Sequence, residues 1–102
     1  MNLIEHLQKQ HEFSQKTFGP GYRTDTVIAH IRKELIEVES SPQDIEEWID
    51  IVLLAFDGAL RSGNTPEQIS QALAAKLKKN MSRTWKDWKQ VKDGEVIEHI
   101  RS

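Results

Sequence analysis

Residues 45–60, IEEWIDIVLLAFDGAL, carry four polar side chains besides the indole of Trp48, and all four are acids: Glu46, Glu47, Asp50 and Asp57. On a helix turning about 100° per residue, Glu46, Asp57 and Asp50 fall within about 40° of one another, with Glu47 roughly 60° beyond Asp50. Ile49, Leu53, Phe56 and Leu60 border this sector on one side, and Ile51 and Leu54 on the other. A solvated helix face mixes signs and adds Ser, Gln or Lys. A purely acidic sector between two apolar surfaces is a different pattern, and its spacing predicts a helix rather than a strand.

Working outward, the punctuation predicts four helices. Ser40-Ser41-Pro42 precedes the acidic stretch, with Ser41 as N-cap, Pro42 at the first helical position and Asp44 completing a capping-box-like start. This third helix runs from about Pro42 to Ser62 and stops at Gly63. Thr65-Pro66-Glu67-Gln68 repeats the start signal and opens a fourth helix reaching about Arg83. Upstream, a second helix from about Asp25 to Glu39 carries Val27, Ile31, Leu35 and Val38 at helical spacing. The first, from about Asn2 to Lys16, is marked by Leu3, Leu7 and Phe13 and ends at Thr17-Phe18-Gly19-Pro20-Gly21, a sequence that cannot continue a helix. After Trp85, Asp93-Gly94 reads as a turn, and Val96 to Ile100 as a strand or a short helical turn. Nothing alternates with a period of two over a useful length, and no repeat is present. The expected architecture is all-α: a single four-helix-bundle-like domain over residues 1–102.

Composition narrows the function. There are 14 Lys and Arg against 16 Asp and Glu, a formal net charge of -2, which argues against a dedicated DNA-binding protein. With no cysteine, disulfides and thiolate metal sites are excluded. Met1 to Gln10 lacks the apolar core of a signal peptide, and no run approaches the ~20 apolar residues of a membrane span. The expectation is a soluble cytoplasmic domain with no membrane and no stable nucleic-acid partner.

The second helix offers a flank for the acidic sector. Glu34 and Glu37 lie beside the Ile31, Leu35 and Val38 stripe, and His30 sits one turn before Glu34. Two like charges roughly 4 Å apart cost about 4 kcal/mol at an effective dielectric of 20, so carboxylates gathered beside apolar surface need a compensating charge. Hard oxygen ligands suit Mg²⁺ or Mn²⁺, ions that also bind substrate phosphates. Glu-x-x-Glu alone is common on solvated helices. Two acidic pairs on consecutive helices, Glu34 with Glu37 and Glu47 with Asp50, are a more specific signal. His30 reads as a packing residue or a support behind the ligands. Asp57 reads either as a buried, hydrogen-bonded acid or as an outer part of the site.

Lys76, Lys78, Lys79, Arg83, Lys86, Lys89 and Lys92 make the region after residue 75 basic. Lys76, Asn80 and Arg83 share one helix face within about 60°. Such donors hold a triphosphate. Trp85 and Trp88 interleave with the cations, so a single-stranded nucleic-acid binder is one alternative, and a non-catalytic helical interaction module is another. An acidic cluster in one half and a basic face in the other fit a metal-bound polyphosphate better than either.

These residues resemble the MazG-like all-alpha NTP pyrophosphohydrolases, whose motif is Glu-Glu-x-x-Glu, a gap, Glu-x-x-Asp, and later Lys-x-x-x-Asn-x-x-Arg. Glu34 and Glu37 match the first element, with Lys33 in place of its leading acid. Glu47 and Asp50 match the second, and Lys76, Asn80 and Arg83 the third. Thr17-Phe18-Gly19-Pro20-Gly21, Glu46-Glu47-Trp48-Ile49-Asp50, Asp57-Gly58-Ala59, Arg83-Thr84-Trp85 and Ile97-Glu98-His99-Ile100 look further like the phage and bacterial dATP/dGTP diphosphohydrolase subgroup. The resemblance implies hydrolysis of purine (deoxy)nucleoside triphosphates, dGTP and dATP, to monophosphate and pyrophosphate. It implies Mg²⁺, with Mn²⁺ as the other candidate, held by Glu34, Glu37, Glu47 and Asp50. Glu37 would orient or deprotonate the attacking water, while Lys76 and Arg83 hold phosphates with help from Asn80. Phe18 and the Gly19-Pro20-Gly21 turn read either as an aromatic face for a base or as a plain helix connector. A homo-oligomer, dimer or tetramer, is expected, because Ile36, Ile51 and Leu54 face away from the main apolar stripes.

Overall fold

The computed structural model describes residues 1–101 and contains the four expected helices in order: α1 (Leu3–Phe18), α2 (Thr24–Ser40), α3 (Ile45–Arg61) and α4 (Pro66–Ser82). The fold is all-α. The chain divides into two compact units, Met1–Gln71 and Ala72–Ser102, the boundary falling within α4.

In the first unit each helix starts and stops on local chemistry. Asn2 caps α1 by accepting the Glu5 amide at 2.9 Å and donating to the Glu5 carboxylate at 3.0 Å. Gly19 ends α1 with φ at 87°, and Gly21 follows at 100°, so two left-handed glycines flank Pro20 and turn the chain into α2. The capping expected of Ser41 and Pro42 is corrected. Ser41 closes α2, its amide donating to the Glu37 and Val38 carbonyls. Asp44 caps α3 instead, accepting from the Glu46 amide at 3.0 Å, so α3 begins at Ile45. The indole of Trp48 donates to the Pro42 carbonyl at 3.0 Å and holds that residue in a turn outside the helix. The second start signal works as read: Thr65 and Gln68 exchange backbone-to-side-chain bonds of 2.8 and 3.1 Å at the head of α4.

Helix α3 is the element that the others pack on, with α2 along one side and α1 along another. A Cβ on Gly58 would meet Val27 Cγ1 at 3.3 Å, so the missing side chain is what lets α2 lie close. Gln10 donates to the Leu53 carbonyl at 2.6 Å and joins α1 to α3. Leu7, Leu60 and Ile69 form the core cluster, with Leu3, Phe56 and Ala59 against it; Val27 and Val38 are buried between α2 and α3. The apolar stripes reach further than this core. Leu35 and Ile49, on the inward stripes of the sequence reading, are 46% and 45% exposed, and Ile36 is 66% exposed. Their helices leave those faces open.

The second unit holds the rest of α4, where Leu73, Leu77 and Met81 are exposed, and a 3-10 turn at Trp88–Gln90. Of the two readings of the tail, the extended one is closer: Trp85 and His99 form a single antiparallel bridge, their rings 5.7 Å apart. Asp93-Gly94 turns the chain as expected, with Gly94 at φ 85°.

Leu7 is fully enclosed. Leu7→Ala is expected to cost about 2–5 kcal/mol of unfolding free energy, the transfer and cavity terms together. Denaturant unfolding measures it, and a loss below about 1 kcal/mol would contradict this packing.

Candidate active site

Because α2 and α3 lie side by side, Glu34 from the first meets Glu47 and Asp50 from the second. One oxygen from each carboxylate lies within 4.8 Å of the others. Glu34 and Glu47 are half-buried and Asp50 is exposed. Glu37, the fourth expected ligand, is exposed and stands outside this group of three. It is nonetheless close enough to act on Glu47. Partial burial, and then the charges of Glu37, Asp44, Glu34 and Asp50, raise the Glu47 carboxyl above its ordinary value of 4.5. Converging hard oxygen donors with unrelieved mutual repulsion are the donor set a divalent cation of the Mg²⁺ or Mn²⁺ type fits. His30 takes the supporting position: its Nε2 lies 3.3 Å from Glu34 Oε1.

Glu34 and Asp50 also line a cavity of about 270 Å³ with His30, Leu53 and Leu54 and, from α1, Gln10, Phe13, Ser14 and Phe18. Phe13 and Phe18 meet edge to face, centroids 6.3 Å apart. Both rings line the cavity while staying exposed, Phe18 at the end of α1 and Phe13 as one of the apolar marks of that helix. Asp57 lines the cavity too, half-buried and hydrogen-bonded. It accepts from Ser14 Oγ at 2.7 Å and pairs with Arg61 Nε at 3.1 and 3.2 Å. Arg61 escaped the sequence reading. Its signal was available: the first cation after Lys33 stands four residues after an acid on a helix with no other cation.

Lys76, Asn80 and Arg83 belong to the second unit. There Arg83 donates to Asn80 Oδ1 at 3.0 Å, and Trp85 Nε1 to the Asn80 carbonyl at 2.8 Å. Lys76, one turn earlier, is exposed.

The raised Glu47 carboxyl has a stability consequence with a definite sign. A group that binds its proton more tightly folded than unfolded contributes stability that is present below pH 4.5 and lost as pH rises through the raised folded value. In EDTA, Glu47→Gln should therefore gain on the parent as pH climbs through that range, and added Mn²⁺ should stabilise the parent far more than the variant. Asp50→Asn should likewise leave the metal-free fold as stable as the parent while weakening the Mn²⁺ effect. Thermal unfolding with EDTA and with millimolar Mn²⁺ reads all of these; a variant that melts markedly earlier in EDTA would contradict the repulsion.

The fold matches the cyanophage S-2L MazG-like pyrophosphohydrolase, solved bound to dGDP and three catalytic Mn²⁺ ions per active site, with a TM-score of 0.75, 26% identity and 99% of each chain covered. In sequence the chain is 36% identical over 98 residues to the Eaa protein of Salmonella phage P22; the match takes in 95% of this chain but spans 30% of the length of that relative. Residues 6–102 match the family model of the dATP/dGTP pyrophosphohydrolases. With convergent carboxylates on its central helices and a family match over nearly its whole length, the chain belongs to the dATP/dGTP pyrophosphohydrolase family.

Proposed function

We propose that the protein hydrolyses purine deoxynucleoside triphosphates, dGTP and dATP, to the monophosphate and pyrophosphate, in the cytosol of a bacterium or a phage-infected cell. The observation that carries this reading is the meeting of Glu34, Glu47 and Asp50, two of which, Glu34 and Asp50, line a cavity together with two phenylalanines. Carboxylates suit the metal-bound phosphates, and the aromatic edge suits a purine. Family membership and the dGDP and Mn²⁺ of the cyanophage relative support it.

Glu34, Glu47 and Asp50 would hold Mg²⁺ or Mn²⁺, with Glu37 joining them at the exposed margin. The cation, when bound, neutralises phosphate charge and lowers the pKa of water. Glu37 is free of the three-carboxylate group and so suited to orient a water toward the α-phosphorus and take its proton. His30 keeps Glu34 aimed. Phe18, edge-on to Phe13, faces the base. Lys76 and Arg83 would offer cationic donors to phosphates, with Asn80 accepting a hydrogen bond from Arg83. Residues 1–102 act as one functional domain in this reading.

Pyrophosphate release from dGTP, dATP, dCTP and dTTP tests the reaction. Release with Mg²⁺ or Mn²⁺, none with EDTA, and a higher kcat/KM for the purines are expected. Equal rates, or a pyrimidine preference, would overturn the substrate class alone. No release from any triphosphate, with salt-sensitive oligonucleotide binding instead, would favour a nucleic-acid binder over an enzyme.

Exposed Leu35, Ile36 and Ile49 in one unit, and Leu73 and Leu77 in the other, support a homo-oligomer, dimer or tetramer, that covers them. Sedimentation at micromolar concentration should show it; monomer throughout would overturn this part.

A further inference from the structure

Arg61 makes more bonds than charge balance requires. Its side chain is 2% exposed and its partner Asp57 13%, so a cation here needs its carboxylate. That need is met by Nε, which bonds both Asp57 oxygens at 3.1 and 3.2 Å. The remaining nitrogens go elsewhere. Nη1 donates to the Gly21 carbonyl at 2.9 Å, and Nη2 to the Ser14 carbonyl at 3.1 Å and the Ser14 hydroxyl at 2.7 Å. One planar guanidinium thus fixes three separate segments: the body of α1, the turn after it, and the end of α3.

Those segments carry the aromatic wall of the cavity. Phe13 precedes Ser14 in the chain, and Phe18 stands three residues before Gly21. Arg23 closes the same turn from its far end: it donates to the Phe18 carbonyl, and its guanidinium carbon lies 5.6 Å from the centre of the Phe18 ring. The turn is therefore held at Gly21 by Arg61 and at Phe18 by Arg23. The carboxylates of Glu34, Glu47 and Asp50 receive no hydrogen bond from Arg61, whose acceptors are Asp57, Ser14 and Gly21.

We propose that Arg61 is a positioning residue for nucleoside recognition: it fixes the Phe13 and Phe18 wall from behind and leaves the carboxylate group to set metal affinity. This rests on the function proposed above and deepens it, by separating the groups that govern nucleoside binding from those that govern the cation. Holding a wall in place before the ligand arrives removes an ordering cost from binding, so its loss falls on affinity.

Arg61→Lys tests it. An ammonium can still face Asp57 but cannot span Asp57, Gly21 and Ser14 together. The expected result is a KM for dGTP raised roughly tenfold, the scale of one charge-assisted hydrogen bond, with kcat within about twofold. Mn²⁺ affinity, measured without nucleotide, should stay within about twofold of the parent. Amide hydrogen exchange should quicken at residues 18–23 and not in α2. An unchanged KM, a kcat that falls at constant KM, or a parallel loss of Mn²⁺ affinity would each overturn the proposal, the last by showing general loosening. Should Arg61→Lys not fold, Ser14→Ala removes the hydroxyl that accepts from Arg61 and donates to Asp57, and is expected to raise KM about two- to threefold with Mn²⁺ affinity spared; no change in KM there overturns it equally. A parent protein that hydrolyses no purine triphosphate overturns the proposed function itself, a result visible before any variant is compared.

Discussion

Two helices that turn acids toward each other must be held together against their own charge. Helices α2 and α3 do this with Val27 and Val38 buried between them and with Gly58, whose lack of a side chain lets Val27 approach. The apolar contact is what forces Glu34 against Glu47 and Asp50. Apolar burial is non-directional and tolerates the strain, whereas the repulsion is local and appears as the raised carboxyl of Glu47. A site of this kind is stabilised by its contents. A divalent cation held there would remove a cost that the fold otherwise bears, linking binding to stability by mass action.

A second device governs the other side of the cavity. Residues 19–23 form an irregular turn with two glycines at positive φ, a segment with little regular hydrogen bonding of its own. Arg61 and Arg23 supply the missing bonds from side chains. The cation at the end of α3 also sits well by its helix dipole, but its reach across to Ser14 and Gly21 is the more consequential feature. The cavity thus has one wall set by acids on packed helices and another set by an arginine behind a turn.

The family match covers residues 6–102, and the cyanophage relative shares the fold along 99% of both chains at only 26% identity. The small core, in which Leu7 is fully enclosed, leaves apolar surface exposed at Leu35, Ile36 and Ile49.

Helix positions, the turn chemistry at Thr65 and Gln68, and the acidic sectors of the second and third helices were all legible in residues 24–68, because periodicity and capping are local properties of the chain. The sequence by itself therefore determined an all-helical fold and a set of acids apt for a divalent cation. It misread the α3 cap, since Ser41 and Asp44 both satisfy the same local rule and only the Trp48 bond to Pro42 decides between them. It also placed Leu35 and Ile49 inward, because a helical wheel shows which residues share a face and not how much of that face a neighbour covers. Which acids converge, and that Glu37 stands apart from them, followed from the packing of α2 on α3. That Arg61, beyond its local pair with Asp57, also joins Ser14 and Gly21 was decided by tertiary structure alone: those two partners lie as many as 47 residues away in sequence, and no local pattern encodes a bond between segments that only folding brings together.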